Sequence, residues 1–125
     1  MRYVSHDSVD FEIPDAWLAR AGLNTSLLVD DHFASAEAET VIEIRQVSSP
    51  VRTPGERWFH EDRMVRILGG IVSRQSMPPI NVDEPPQGPH PYRVRDGLHR
   101  YYASLAAGFS GIPVRILPYF DINAG

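Results

Sequence analysis

Cysteine is missing from these 125 residues. Disulfides, thiolate metal sites and cysteine nucleophiles are therefore excluded from this sequence, and the lack fits the cytoplasm. Long apolar runs are missing too. Nothing approaches the ~20 residues that a membrane-spanning helix needs, so no membrane partner is expected. The first residues, Met1-Arg2-Tyr3-Val4-Ser5-His6-Asp7, hold no apolar core and no cleavage site, so no secretory leader is expected. Excess positive charge is also lacking: 12 Lys and Arg face 16 Asp and Glu, a formal net charge of −4. Duplex affinity is built on phosphate neutralisation, so general nucleic-acid binding is not expected. Repeats and low-complexity segments are absent. What remains is 42% hydrophobic, ordinary for a globular fold, and long enough for one core but not two.

Proline and glycine punctuate the chain. Phe11-Glu12-Ile13 reads as a short strand, and Pro14-Asp15 opens a helix that Gly22 stops. Residues 23–40 carry no clear period, and the stretch 34–40 reads as helix or loop. Residues 40–47, Thr-Val-Ile-Glu-Ile-Arg-Gln-Val, alternate and are rich in β-branched side chains, which predicts one strand. Pro50, Pro54 and Gly55 mark a loop. Met64, Val65, Leu68, Ile71 and Val72 share one face of a helix predicted over 60–73. Pro78-Pro79 blocks further helix, and Ile80-Asn81-Val82 is a short strand. A proline-rich turn at 83–91 leads to a strand over 92–95 and a helix over 98–107. The buried stripe expected for that helix is Leu98, Tyr102, Leu105 and Ala106. The consecutive Tyr101 and Tyr102 are expected to lie one inside and one outside. Residues 112–117 form the last strand and 121–125 a tail. The order β, α, β, β, α, β over 40–117 predicts one mixed sheet with helices packed on it, an α/β (α+β) single domain. Residues 1–39 form an extension ahead of a domain at 40–125.

The most informative segment is 92–105. Tyr92 to Arg95 alternate like a strand, Asp96-Gly97 breaks it, and a helix starts at Leu98. A strand that turns straight into a helix leaves the first helical N–H groups unpaired. His99 and Arg100 stand in the first turn, where a basic side chain opposes the helix dipole unless an anion compensates it. The segment therefore predicts a phosphate or carboxylate site. Arg93, Arg95, His99 and Arg100 form a local basic patch to which Arg115 can add.

This order of elements, and the residues at its joints, resemble the ParB/sulfiredoxin superfamily. Met77-Pro78-Pro79-Ile80-Asn81-Val82 resembles the family's Pro-Ile-x-Val strand. Gly97-Leu98-His99-Arg100-Tyr101-Tyr102-Ala103 is similar to the ParB pattern Gly-Glu-Arg-Arg-x-x-Ala. It is closer to Asp-Gly-x-His-Arg of ParB-like free serine kinases and to Gly-Cys-His-Arg of sulfiredoxins. Ile112-Pro113-Val114 resembles the closing strand. The resemblance spans 40–117 and implies that Gly97, Leu98, His99 and Arg100 hold nucleotide phosphates. It implies ATP or another nucleotide with Mg²⁺ as cofactors, Asp96 as a metal holder, and an arginine such as Arg52 or Arg57 near the ligand. Glu43 resembles the early-strand acid that some kinases of the superfamily use as a base. Leu98 stands where sulfiredoxins have cysteine, so sulfinate repair is excluded. It also replaces the ParB glutamate. No helix-turn-helix follows within these residues, so sequence-specific DNA reading is not expected.

Each residue has a plainer role beside the chemical one. Asp96 suits a turn or a helix N-cap as well as a metal. His99 donates to a phosphate, acts as a general acid, or packs on a neighbouring strand. Arg100, with its guanidinium fork, suits phosphate oxygens, and otherwise pairs with Asp96 or Glu84. Glu43 is a base or a solvated outer-face residue. His60-Glu61-Asp62 reads as a helix start with favourable acidic charges rather than a metal motif. Trp17, Trp58 and Phe59 read as core or lid anchors. The reading that results is a ParB-like domain binding a nucleotide or phosphorylated small molecule, with ATP-dependent phosphotransferase or NTPase activity. The expected catalytic residues are Glu43, Asp96 and His99. The alternative is a non-catalytic module with a vestigial anion site that binds a protein partner through 1–39 or the 83–91 loop. A ParB-like nuclease ranks last, for want of a carboxylate cluster.

Overall fold

The alternating stretch 40–47 does not run as one strand in the computed structural model of the chain, which describes residues 2–6, 9–24, 28, 30–48, 60–88 and 90–118. It forms β3 (Thr40–Glu43), a 3₁₀ turn (Ile44–Gln46) and β4 (Val47–Ser48). The reason is burial. Ile44 and Val47 both enter the core. Residues three apart point to opposite faces of a strand but eclipse each other in a 3₁₀ turn. Ile44 N–H is satisfied there by the Ser110 carbonyl at 2.9 Å.

The remaining elements are β1 (Arg2–His6), β2 (Val9–Ile13), α1 (Asp15–Ala21), α2 (Glu61–Val72), β5 (Ile80–Asp83), β6 (Tyr92–Asp96), α3 (Leu98–Ala106) and β7 (Gly111–Ile116). β1 and β2 make an antiparallel hairpin. The main sheet has the order β3-β7-β5-β6-β4, mixed, with β7–β5 and β6–β4 parallel and the other pairs antiparallel. β3 and β4 are thus its two outer edges, yet only the 3₁₀ turn joins them. A flat five-stranded sheet would set its edges about 19 Å apart at ~4.8 Å per strand. The four Cα steps from Glu43 to Val47 reach at most about 15 Å. The sheet therefore curls. The hydroxyl of the buried Tyr101 donates to the Val47 carbonyl at 3.3 Å and ties α3 to the β4 edge.

The helix faces differ in part from the sequence reading. Met64, Ile67, Leu68, Gly70 and Ile71 are buried in α2, whereas Val72 is exposed at the helix end. In α3, Tyr101, Tyr102, Ala103, Ser104 and Ala106 are buried, and Leu98 and Leu105 are only half-buried. Both tyrosines lie inside, in an edge-to-face pair with ring centroids 5.1 Å apart. A helix covered on more than one side buries consecutive residues, which a single-stripe pattern does not anticipate. Residues 30–39 form neither helix nor strand before Thr40 begins β3. They are pinned by Gly111 N–H to Asp31 O, Met77 N–H to Ala34 O and Glu39 N–H to Val114 O. Ile13 and Phe33 belong to the same core as the main sheet and helices. The loop around Pro50, Pro54 and Gly55, with Arg52, Arg57, Trp58 and Phe59, lies outside the described residues, as does the tail 121–125.

Among the described residues one charge is fully buried: Asp83, at the end of β5. Arg93, its register partner on β6, donates from Nε at 3.2 Å and from Nη2 at 2.7 Å, and Arg95 donates from Nη1 at 2.8 Å. A register shift in this strand pair leaves Arg95 without a partner residue on β5, so two arginines of β6 reach one carboxylate. Burial pushes the Asp83 pKa up, but the hydrogen bonds and charges of Arg93 and Arg95 outweigh it and hold the group below its ordinary 3.8. The unfolded chain therefore takes up this proton more readily than the fold. The stabilisation from Asp83 is complete above the ordinary value and is lost as pH falls through the lower folded value. We expect acid titration of the wild type, followed by circular dichroism, to show a stability loss below that point which Asp83→Asn makes shallower. Arg93→Ala should cost about 1.5–3 kcal/mol in urea denaturation, the range for hydrogen bonds to a charged group, because half-open Arg95 still serves the carboxylate.

Candidate anion-binding cleft

Gly97 is the N-cap of α3, with φ 100° and ψ 32°. That left-handed geometry suits glycine. A Cβ here would sit 2.7 Å from Ile80 Cγ2, so the space is closed as well. Asp96 is not the cap; it is the exposed last residue of β6, opposite Asn81. No side chain caps α3, and the first helical N–H groups, from Leu98 to Arg100, have no intrahelical partner.

His99 takes a different part from the one expected. Its Nε2 accepts the backbone N–H of His60 at 3.0 Å, and His60 Nδ1 in turn accepts the N–H of Arg63 at 3.4 Å. The first turns of α3 and α2 are thereby coupled. With Nε2 accepting, the ring proton belongs on Nδ1. His99 thus sets the position of α2, and only its Nδ1 side could donate to a ligand. Arg20 adds a surface pair to the same helix start, with Glu61 at 3.0 Å and Asp62 at 3.5 Å.

Arg100 is half-buried. Its Nη2 lies 3.4 Å from the Pro79 carbonyl, and its buried Nε has no hydrogen-bond partner among the described residues. Burial lowers its pKa, Asp96 raises it and Arg63 lowers it, with a net downward shift. A guanidinium nevertheless stays charged. Arg100 lines a cleft of about 330 Å³ with Arg63, Arg66, Ile67, Gly70 and the loop 75–78. Arg63 and Arg66 are exposed, one helical turn apart on α2. No carboxylate lines this cleft, and none of its three arginines forms an ion pair among the described residues.

The structure brings Asp96, Gly97, Leu98, His99 and Arg100 together but sets Glu43 apart. Glu43 ends β3 rather than standing mid-strand, and it pairs with Gly111, while Asp96 and Arg115 both face Asn81. Gly111 and Arg115 are four residues apart on β7, about 13 Å along the strand. Glu43 is exposed, ion-paired to Arg45, and lines a separate cavity of about 570 Å³. The expected trio Glu43, Asp96 and His99 is therefore not one constellation. Arg93 and Arg95 leave the expected basic patch too, because they are spent on Asp83. Arg63 and Arg66 were missed; their spacing on the exposed side of α2 was the available signal. Arg52 and Arg57 lie outside the described residues.

Among the described residues, no helix is long and apolar enough to cross a membrane, and no group of three His, Asp or Glu side chains could hold a metal ion. Neither a protein-family model nor a curated protein sequence matches the chain. Solved structures do, among them two of the C-terminally truncated chromosome-partitioning protein ParB from Caulobacter crescentus. The one complexed with CTP-γ-S is 22% identical with a TM-score of 0.51, over 66% of this chain and 46% of that one. The one complexed with the centromeric parS site is 23% identical with a TM-score of 0.47, over 69% and 42%. The chain thus spans less than half of either. The fold is ParB-like, an α+β arrangement of three helices and a curled, mixed five-stranded sheet.

Gly97→Ala should lower stability by about 1–3 kcal/mol from backbone strain, with the clash against Ile80 in addition. In an Ile80→Ala background the increment should shrink, because the clashing methyl is gone. Equal increments in both backgrounds, measured by denaturant melts, would show that the close approach is relieved at no cost.

Proposed function

We propose that the chain is a nucleotide-binding domain whose phosphate subsite is the start of α3 and the adjoining arginine cleft. One observation carries this reading: Arg100 is drawn half out of water, with its Nε unsatisfied, into a cleft lined by two further arginines and no acid. Burying an unpaired guanidinium is costly, and a bound anion offsets that cost. The dipole of α3, whose start no side chain caps, adds to the attraction. Ile67, Gly70, Met77 and Pro78 give the cleft an apolar side against which a base or sugar can pack. The ParB structure of like fold, with its CTP-γ-S, supports a nucleotide over a simple anion.

Phosphoryl transfer, by a phosphotransferase or an NTPase, would further need a base near the acceptor. With Glu43 at the far end of the sheet, Asp96 is the carboxylate in reach, and binding is the function the geometry supports best. Mg²⁺ fits this cleft poorly. It takes oxygen ligands, commonly one or two carboxylates, and the lining supplies guanidinium groups instead.

Thermal-shift measurements with CTP, ATP and inorganic phosphate test the reading. A nucleotide at 100 times its dissociation constant should add about 2.7 kcal/mol of stability. Arg100→Ala should weaken nucleotide binding by about 1.5–3 kcal/mol, the scale of a charge-assisted hydrogen bond. No stabilisation by any of the three would sink the proposal.

A further inference from the structure

Arg63, Arg66 and Arg100 come from two helices and share one cleft. Arg63 is close enough to Arg100 for its charge to be felt there, although Asp96, which does not line the cleft, attracts Arg100 more strongly than Arg63 repels it. Among the other described residues, Arg20 pairs with Glu61 and Asp62, Arg45 with Glu43, Arg74 with Asp30, and Arg93 and Arg95 with Asp83, while Arg115 forms no ion pair but stands by itself on β7. Three cations left together without a carboxylate are what a multiply charged anion requires. A cleft of about 330 Å³ lies near the lower end of roughly 300–1,000 Å³ for small-molecule sites, enough for a compact polyphosphate.

We propose that Arg63 and Arg66 are ligand-binding residues which, with Arg100, clamp a polyphosphate directly, so that the arginines take the charge-neutralising part that a divalent cation would otherwise play. This rests on the nucleotide-binding reading and deepens it. The exposed fork of Arg63 and that of Arg66, one turn apart, suit oxygens of neighbouring phosphates, while the half-buried Arg100 receives the innermost group. A Mg²⁺ ion on the same phosphates would compete with these guanidinium groups for oxygen and would bring a positive charge among three others.

Isothermal titration of the full 125-residue chain with CTP, ATP and inorganic triphosphate, in EDTA and again in excess Mg²⁺, tests the proposal. Binding in EDTA should equal or exceed that in Mg²⁺. Arg63→Gln or Arg66→Gln should each weaken it about 3- to 10-fold, and the double variant about 10- to 100-fold, with melting temperature unchanged because both side chains are exposed. Equal affinity for inorganic triphosphate and the nucleotides would assign recognition to the phosphates alone; tighter nucleotide binding would add the apolar side of the cleft. Binding that requires Mg²⁺ overturns the direct clamp and leaves the nucleotide-binding reading standing. Binding in EDTA that the double variant retains in full removes Arg63 and Arg66 from the site. Absence of binding in both conditions overturns the nucleotide-binding reading itself, and the clamp with it.

Discussion

Three residues join the two outer edges of one sheet, and that short link governs the architecture. Because Ile44–Gln46 must carry the chain from β3 to β4, the five strands curl toward closure. Curling gives the sheet a concave side, and the aromatic pair of α3 fills the interior, with Tyr101 reaching back to the Val47 carbonyl. The 3₁₀ turn brings Ile44 and Val47 to the same side, so that both enter the core where the chain passes from one outer edge of the sheet to the other. A local hydrophobic demand thus becomes a global shape, and the start of α3 ends up where α2 and the 75–78 loop face it.

Charge is apportioned along the same lines. Basic residues that are neighbours in sequence, Arg93 and Arg95, are consumed by the buried carboxylate of Asp83, which holds β5 to β6. Basic residues that are distant in sequence, Arg63 and Arg66 against Arg100, converge in a cleft whose described lining holds no carboxylate. The first set strengthens the frame on which Asp96 and Gly97 are mounted. The second set is exposed to whatever enters the cleft. His99 links the two by holding the beginning of α2 against the beginning of α3.

What was legible in the sequence is what short-range chemistry decides. Pro14 and Gly22 bounded α1, the apolar period over 60–73 marked α2, and Asp96-Gly97 separated β6 from α3, each within a residue or two. The mixed sheet followed from the order of those elements. The break after Glu43 was not legible, because alternation and β-branching continue through it and only the destination of Ile44 decides. Nor was the arginine cleft, which depends on which helix faces which. The proximity of Arg93 and Arg95 to the motif suggested a ligand patch; Asp83, ten residues upstream of Arg93, claims them instead, a pairing that only strand register reveals. At the site the start of α3 was readable from its glycine and its two basic residues, while the true partner of His99 was a backbone amide that no sequence pattern announces.

The geometry of Gly97 bears on how variation in such chains should be interpreted. Its positive φ and its closeness to Ile80 tie it to the strand packing, and the Arg100 guanidinium lies 3.1 Å from where a Cβ would stand. A descendant that had lost every ligand would still lose about 1–3 kcal/mol on replacing that glycine. Persistence at this position is therefore accounted for by the fold without any activity. The positions free to drift once a ligand is abandoned are the solvent-facing ones, Arg63 and Arg66, and it is there that a lineage would record whether its cleft is still in use.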